Sequence, residues 1–284
     1  MTVVGHDAPT RGEFGYAFGM TPRLDSRFVE AYWRDGYRVF DRPVFSQDKF
    51  DGLSALFEEL HAMPLEEKRR RAAASTFRTD WEDASLQGLN MCHLWEQRLL
   101  EWLLDDEVID LVTCILGPDV ALFSSHFICK DPADNIATPW HDDRFYWKPL
   151  VEPMDAIVTV WLALDDSDVE NGCMWVVRGS HEDPMIDETE AYDPERNLFS
   201  TALPEDKIDA SKAVPVEVPR ACCSLHDARL IHGAQGNTSP RRRCGYTMRY
   251  FSTALKLLKP VQEHPTWLAR GRDRAGNRYV NGPG

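Results

Sequence analysis

The chain has 284 residues, of which 43% are hydrophobic and 27% are charged, as in an ordinary folded protein. Its formal net charge of −14 argues against binding to nucleic acid or to an anionic membrane surface. No apolar run approaches the roughly 18 residues that a membrane-spanning helix needs. We therefore expect neither nucleic acid nor a membrane among its partners.

The cysteines and the first residues bear on the compartment. Seven cysteines are present, an odd number, and none shows Cys-x-x-Cys spacing. Cys222 and Cys223 are adjacent in an apolar stretch, and buried thiols in a reducing compartment are the simplest account. Residues 1–7 have neither a basic start nor an apolar segment, so no signal peptide is expected. These features predict a cytoplasmic protein.

The first third of the chain is predicted to be mainly helical. Residues 1–25 are rich in glycine, proline and charge, which is typical of a loose arm. A short helix over residues 27–33 precedes a strand over residues 37–40. A longer helix begins after Ser46, a good capping residue, and its apolar residues recur at helical spacing: Phe50, Leu53, Leu56, Phe57 and Leu60. Residues 74–93 show no clear period, and a second long helix is predicted over about residues 94–116.

The pattern changes from helices to strands after residue 118. Residues 120–129 show the β-branched and aromatic bias of a strand, and residues 154–164 form a nearly continuous apolar run, typical of a strand buried on both faces. Further strands are predicted over residues 173–177, 221–231 and 244–251. Because the helices come first and do not alternate with strands, we predict an antiparallel β core flanked by N-terminal helices.

A polar insertion over residues 182–214 interrupts the strands. It contains ten Asp and Glu against three Lys and Arg. We interpret it as a solvated loop, and a lid over the substrate is the alternative. Together with residues 65–97 and the tail after Thr253, it is a predicted source of substrate specificity, because loops carry selectivity on a rigid scaffold.

Two histidines and an aspartate are candidate metal ligands. His141 and Asp143 stand two residues apart, and residues at that spacing on a strand point to the same face. His232 follows much later, inside an apolar run. Two histidines and one carboxylate, with open positions left over, form the facial arrangement of non-heme Fe(II) oxygenases. The His-x-Asp pattern also occurs by chance in many chains, and Asp142 competes with Asp143 because adjacent carboxylates cannot both face one metal.

Several motifs in the second half of the chain occur in a definite order. They are residues 138–143 followed by Tyr146-Trp147, residues 160–166, residues 170–173 closing with residues 179–181, and His232-Gly233 with Asn237, Ser239 and Arg243. In this order the sequence resembles the phytanoyl-CoA dioxygenase family of Fe(II)- and 2-oxoglutarate-dependent oxygenases. The resemblance is good over residues 120–252 and weak over residues 28–60. Joint occurrence in order is far more specific than any single motif.

The resemblance implies a mainly β fold with flanking helices. Its core would be a double-stranded β-helix, that is, a jelly roll of the cupin type, with the metal near one open end. We expect a single dioxygenase domain over residues 1–284. It would comprise an N-terminal helical part at about 26–117, the jelly-roll core at about 120–252 and a C-terminal tail at 253–284.

The resemblance also implies roles for individual residues. His141, Asp143 and His232 would be the catalytic iron ligands. Arg243, eleven residues after His232, would bind the far carboxylate of 2-oxoglutarate, for which a guanidinium fork is well suited. Trp161 and Trp147 match aromatic residues near the co-substrate, although a purely structural place in the core is an equal alternative for both.

Three further positions are open at this stage. Relatives often have serine two residues after the second histidine, donating to the co-substrate, whereas this chain has Ala234. The hydrogen bond is therefore absent or supplied by another residue. His226 is interpreted as a core histidine on the same strand face as His232, with a place beside the metal as the alternative. Nothing in its surroundings decides whether Lys130 faces the pocket.

The predicted function is that of an Fe(II)- and 2-oxoglutarate-dependent dioxygenase, acting with O2 on a small molecule as a monomer or homodimer. It would hydroxylate an unactivated C–H bond and release succinate and CO2. Halogenating relatives replace the carboxylate ligand with Ala or Gly, so the presence of Asp143 predicts a hydroxylase and not a halogenase. The alternatives are a cupin-like metal-binding protein without redox chemistry and a zinc hydrolase with the same ligands, neither of which needs Arg243.

Overall fold

The computed structural model describes residues 23–77, 89–193 and 195–282. The predicted arm lies outside this part up to residue 22, and so do residues 78–88 of the aperiodic stretch. No helix of the described part is both long and apolar enough to cross a membrane.

Helices dominate the described chain before residue 117. They are α1 (Ser26–Asp35), α2 (Gln47–Ala62), α3 (Leu65–Ala74), α4 (Leu100–Leu103) and α5 (Asp106–Leu116), and a short α6 (Arg144–Trp147) follows later. All five apolar residues used to predict α2 are buried, which confirms its inward face. The single helix predicted over residues 94–116 is wrong. The chain breaks before α5, because the Asp105 side chain accepts a hydrogen bond from the Glu107 amide and begins a new helix.

Fourteen strands occur in the described chain. They are, in chain order, β1 (Tyr37–Phe40), β2 (Val120–Lys130), β3 (Thr138–His141), β4 (Val151–Glu152), β5 (Ile157–Ala163), β6 (Met174–Val177), β7 (Glu190–Ala191), β8 (Thr201–Ala202), β9 (Ala213–Val216), β10 (Cys223–Asp227), β11 (His232–Ala234), β12 (Arg243–Ser252), β13 (Lys256–Leu257) and β14 (Trp267–Arg270).

The longer strands form two antiparallel sheets. The six-stranded sheet has the order β1-β10-β5-β12-β2-β14, and the four-stranded sheet has the order β3-β11-β6-β9. Neighbours in the sheets are mostly not neighbours in sequence, which is typical of a jelly roll. The predicted fold, a jelly-roll core with N-terminal helices, is therefore confirmed.

The two faces of β12 show how the layers are arranged. Cys244, Tyr246, Met248 and Tyr250 belong to one large apolar core with residues of α2 and α5. The alternate residues of β12 point to the other face, where Trp161 of β5 packs against Met174 and Val176 of β6, in the second sheet. The six-stranded sheet is thus covered by helices on one face and by the smaller sheet on the other.

Two predictions about strands and thiols need correction. The strand expected over residues 221–231 ends at Asp227, whose side chain accepts a hydrogen bond from the Arg229 amide and stabilises a turn. His226 and His232 therefore lie on different strands, in different sheets. Cys129 and Cys244 are cross-strand partners joined by a disulfide, with Cα atoms 4.3 Å apart, whereas the five other cysteines are free and buried as expected.

Candidate active site

The three candidate metal ligands converge between β3 and β11. His141 ends β3 and is the register partner of His232, the first residue of β11. One ligand atom from each of His141, Asp143 and His232 lies within 4.8 Å of the other two, and all three residues are buried. Asp142, the competing carboxylate, instead pairs with Arg144 at 2.9 Å. The structure thus brings together the three predicted residues and directs Asp142 elsewhere.

Both imidazoles are held so that one nitrogen remains free. His141 Nδ1 lies 2.8 Å from the Pro139 carbonyl oxygen, and His232 Nδ1 lies 2.9 Å from the Leu230 carbonyl oxygen. A carbonyl only accepts, so each Nδ1 donates and each Nε2 carries a lone pair. Burial, with a smaller contribution from His232, holds the pKa of His141 well below its ordinary value. A neutral imidazole oriented by a backbone carbonyl is the form that binds a metal.

Asp143 completes the arrangement as a buried carboxyl group. Its Oδ2 makes no hydrogen bond within the described residues. Burial raises the pKa of its carboxyl group, against a smaller lowering contribution from Arg249. A buried carboxylate is costly unless it is paired or coordinates a metal. The free lone pairs of the three side chains therefore fit a divalent metal ion.

Arg243 opens β12, and its side chain is buried. Its Nε and Nη2 donate to the Gly172 carbonyl oxygen at 3.1 and 2.6 Å. Its Nη1 is buried and has no partner within the described residues. Burial lowers the pKa of Arg243 to about 10, and a bound carboxylate would reverse that effect. The orphaned N–H group therefore fits an anionic ligand.

Gly172 owes its position to backbone geometry. Its φ is +79°, and an added Cβ would lie 2.7 Å from the Gln235 carbonyl oxygen. Only glycine fits such a turn easily. The turn at Gly172 thus delivers the carbonyl that orients Arg243.

A second cation lies beside Arg243. Lys130 on β2 is its register partner on β12. The Lys130 ammonium is buried and donates to the Ile136 carbonyl. Burial, and then the charge of Arg243, lowers the pKa of Lys130 to about 7. The strand pairing places Lys130 directly opposite Arg243, on the same face of the sheet.

The two tryptophans stand beside different arginines of β12. The ring of Trp161 lies 5.2 Å from the guanidinium carbon of Arg243. Trp147, on α6, packs edge-on against Phe123 at 5.2 Å and lies 4.9 Å from the guanidinium carbon of Arg249. Trp161 therefore lies beside Arg243, whereas Trp147 lies beside Arg249, which is itself near Asp143.

Position 234 has a polar neighbour across the strand pair. Ala234 of β11 is the register partner of Thr138 of β3. Directly opposed residues in an antiparallel pair share a face. The Thr138 hydroxyl is buried and has no partner within the described residues. A hydroxyl is thus available next to the position where many relatives have serine.

Sequence reasoning missed two residues near the metal ligands, Arg249 and His126, and left two places open for a third, His226. Arg249 lies six residues beyond Arg243 on the same face of β12, and this period of two is the signal that could have found it. Arg249 Nη1 lies 2.8 Å from His126 Nδ1. The ring of His226 lies 5.0 Å from that of His232. His226 is therefore a buried histidine beside the site, which its place in the sequence did not decide.

The acidic insertion is not simply a solvated loop. It pairs with the free edge of β3, where the Leu198 and Leu203 amides donate to the Ala137 and Trp140 carbonyls at 2.7 and 2.9 Å. Phe199 then packs edge-on against the ring of His141 at 5.0 Å. Most of the insertion is exposed, as a solvated loop would be, whereas residues 198–203 are tied to the strand that carries His141.

A family profile described as phytanoyl-CoA dioxygenase (PhyH) matches residues 32–245, which is most of the chain. The chain belongs to the phytanoyl-CoA dioxygenase family. Among family relatives, the ectoine dioxygenase of Sphingopyxis alaskensis is 25% identical over 280 residues, covering 92% of this chain and 87% of that protein.

Other matches in the phytanoyl-CoA dioxygenase family are shorter. A phytanoyl-CoA dioxygenase domain-containing protein 1 homolog of Caenorhabditis briggsae is 31% identical over 131 residues, 44% of this chain and 44% of that protein. The protein of that name from Bos taurus is 29% identical, over 48% of this chain and 46% of its own length. The chain thus matches less than half the length of these two relatives.

Solved structures share the fold. The structure of EctD from S. alaskensis with 2-oxoglutarate and 5-hydroxyectoine has a TM-score of 0.64 at 20% identity, covering 95% of this chain and 91% of that one. The non-heme α-ketoglutarate-dependent carbocyclase SnoK has a TM-score of 0.62 at 25% identity, covering 83% and 87%.

Proposed function

We propose that the chain is an Fe(II)- and 2-oxoglutarate-dependent dioxygenase that hydroxylates an unactivated C–H bond of a small molecule, releasing succinate and CO2. One observation carries the proposal: a buried His141, Asp143 and His232 site shares one jelly-roll interior with Arg243, whose buried Nη1 has no partner in the described chain. A metal site alone would suit many activities. A metal site together with a carboxylate-binding arginine suits a metal-chelating dicarboxylate co-substrate.

His141, Asp143 and His232 are the proposed metal ligands. When bound, Fe(II) with 2-oxoglutarate and O2 supplies the oxidising chemistry. The part of the protein is to present two neutral imidazole nitrogens and one carboxylate oxygen on one side of the metal. The backbone carbonyls behind His141 and His232 keep each Nε2 directed at the ion.

Arg243 is the proposed anchor for the far carboxylate of 2-oxoglutarate. The Gly172 carbonyl holds two of its nitrogens, which leaves Nη1 to donate to the ligand. We propose that the Thr138 hydroxyl donates where many relatives use serine at the position of Ala234, because the two residues are directly opposed. Lys130 adds positive charge beside Arg243, which suits a dianionic co-substrate.

Aromatic side chains are the proposed walls of the pocket. Trp161 is 6% exposed and lies over Arg243, so it excludes water from the proposed carboxylate site. Phe199 and Tyr146 both lie against the ring of His141, at 5.0 and 6.0 Å between centroids. We propose that this pair and the acidic insertion that carries Phe199 contact the substrate. Trp147 supports the metal side from beneath Arg249.

Hydroxylation is the proposed outcome because Asp143 supplies the third protein ligand. Halogenating relatives lack that carboxylate. The named relatives include a dioxygenase and a carbocyclase, so the outcome depends on how a substrate is held. We propose that the jelly roll and its helices act as one domain, as a monomer or homodimer in the cytoplasm.

The decisive experiment separates the oxygenase from a zinc hydrolase and from a binding protein without redox chemistry. The purified full chain is mixed anaerobically with Fe(II) and 2-oxoglutarate, and a weak visible charge-transfer band is expected. Admitting O2 should then release succinate, with chloride leaving the product unchanged. A chain that takes up Zn(II), ignores 2-oxoglutarate and needs no O2 would overturn the proposal.

A further inference from the structure

Arg249 is a buried cation at the centre of the β12 inner face. The strand pairing places it between Ser124 of β2 and Thr159 of β5. Arg249 is 8% exposed, and burial lowers the pKa of its guanidinium group. A buried arginine needs partners for five N–H groups, so its neighbours indicate its role.

Each neighbour of Arg249 restricts it in a different way. Its Nη1 lies 2.8 Å from His126 Nδ1. Arginine only donates, so His126 accepts there. The guanidinium carbon lies 4.9 Å from the ring of Trp147, which holds the plane from one side. These two contacts orient the group without neutralising its charge.

The remaining neighbour is the proposed ligand Asp143. Arg249 Nε lies 3.8 Å from Asp143 Oδ2, and neither atom has a hydrogen-bond partner within the described residues. In this pair the anion that balances Arg249 is the same carboxylate that faces the two histidines. A contraction of less than an ångström would make a charge-assisted hydrogen bond.

We infer that Arg249 is a positioning residue for Asp143: it engages Oδ2 and leaves Oδ1 for the metal, so that the carboxylate binds through one oxygen. The inference rests on the proposed function. A carboxylate can bind a metal through one oxygen or through both. Binding through both would take a position from the open ones that this type of site needs for co-substrate and O2.

This role explains why Arg249, and not a neutral donor, lies here. A guanidinium can donate to His126 and to Asp143 at the same time, because its N–H groups diverge in one plane. His126 and Trp147 then act as its supports. Partners that hold a ligand from behind commonly change metal affinity by about 10- to 100-fold when they are removed.

The test is anaerobic titration of the full chain with Fe(II), and with Co(II) as a spectroscopic probe, without co-substrate. Arg249→Met removes both the charge and the donors, and we expect metal affinity to fall by about 10- to 100-fold. Arg249→Lys keeps the charge and should recover part of the loss. The Co(II) d–d spectrum of Arg249→Met should change as well, because the carboxylate can then bind through both oxygens.

Controls separate this role from a structural one. Arg241→Met, an exposed arginine that pairs with Asp168, should leave the Co(II) titration and spectrum unchanged. Thermal unfolding of the metal-free variants shows which of them fold. If Arg249→Met does not fold, Arg249→Gln, which removes the charge but can still donate, should show part of that loss of affinity.

Two negative outcomes are distinguishable. A wild-type chain that binds neither Fe(II) nor Co(II) overturns the proposed function, and this inference with it. A wild-type chain that binds metal, alongside a folded Arg249→Met or Arg249→Gln variant with equal affinity and an equal Co(II) spectrum, overturns this inference alone.

Discussion

At the scale of single residues, the candidate site consists of buried polar atoms that the rest of the chain leaves unsatisfied. Asp143 Oδ2, Arg243 Nη1 and the Thr138 hydroxyl are buried without a hydrogen-bond partner in the described chain. Buried polar groups are normally paired, because an unpaired one costs about 1–3 kcal/mol. Of these atoms, Asp143 Oδ2 faces Arg249 Nε at 3.8 Å, whereas Arg243 Nη1 and the Thr138 hydroxyl are available to a ligand.

Replacing any of the three proposed metal ligands with alanine should abolish succinate release. Two protein ligands hold a divalent ion far more weakly than three, and the variants His141→Ala, Asp143→Ala and His232→Ala should still fold because each removes a buried polar group. Circular dichroism checks the fold, and succinate formation checks activity. Asp142→Asn is the matched control, since Asp142 pairs with Arg144. A variant of any ligand with near-normal turnover would remove that residue from the site.

Arg243→Lys should raise the KM for 2-oxoglutarate by about tenfold or more, because the ammonium loses the planar fork held by Gly172. The KM for the second substrate should change less. Arg241→Lys is the control and should be nearly silent, because that side chain is exposed and pairs with Asp168. Equal effects of Arg243→Lys on both constants would count against a carboxylate anchor.

At the scale of elements, strand pairing decides what each side chain meets. The ring of Trp161 on β5 lies against Gly245 on the neighbouring strand β12. A Cβ added to Gly245 would lie 2.2 Å from that ring. The missing side chain on one strand thus makes room for the large one on the next. Backbone pairing also positions the acidic insertion, which bonds to the free edge of β3 and thereby places Phe199 against His141.

Gly245→Ala should therefore destabilise the fold by about 1–3 kcal/mol, as overpacking does. In an ordinary strand the same change would stabilise by about 0.5–1 kcal/mol. The double variant Gly245→Ala with Trp161→Phe should lose less than the sum of the two single changes, since phenylalanine lacks the ring atoms that clash. Denaturant unfolding measures all three. Strict additivity would show that the two positions do not compete for space.

Phe199→Ala should change use of the second substrate while leaving 2-oxoglutarate affinity intact. Phe199 contacts His141 and Tyr146, whereas Arg243 lies at Gly172 and Trp161. Titration of the anaerobic visible band measures 2-oxoglutarate affinity. Succinate release without a second substrate measures how well the protein shields the proposed metal site. We expect an unchanged band and faster uncoupled release. Glu190→Ala, an exposed change in the same insertion, is the control.

At the scale of the whole molecule, the metal site joins parts of the chain that are far apart in sequence. His141 and His232 come from neighbouring strands of the smaller sheet, whereas Arg243 and Arg249 come from the larger sheet. The metal ligands are therefore assembled only when β3 and β11 have paired, and the two arginines join them only when the two sheets have packed. Metal binding should accordingly be coupled to global stability.

A divalent metal ion should raise the melting temperature of the full chain. At a free concentration of 100 times Kd, binding to the native state alone adds about 2.7 kcal/mol, or roughly 5–10 °C for a chain of this size. Thermal unfolding with and without Co(II) measures the shift, and Asp143→Ala should abolish it. An equal shift in that variant would place the metal elsewhere.

Much of this protein could be predicted from sequence because the deciding signals are local. The period-two spacing of His141 and Asp143 and the helical spacing in α2 each depend on a few neighbouring residues. The order of several motifs then indicated the family, the jelly roll and Arg243. The break before α5 was missed because one capping aspartate, Asp105, outweighed a long apolar pattern.

Only the tertiary structure decided which side chains lie together across strands. Lys130 lies opposite Arg243, Thr138 lies opposite Ala234, and Arg249 lies near Asp143. Register in an antiparallel sheet is set by pairing between segments far apart in the chain, and no local pattern contains it. For the same reason the sequence of the acidic insertion indicates only a loop. Its backbone N–H groups find their partners on the free edge of β3, which is far away in the chain.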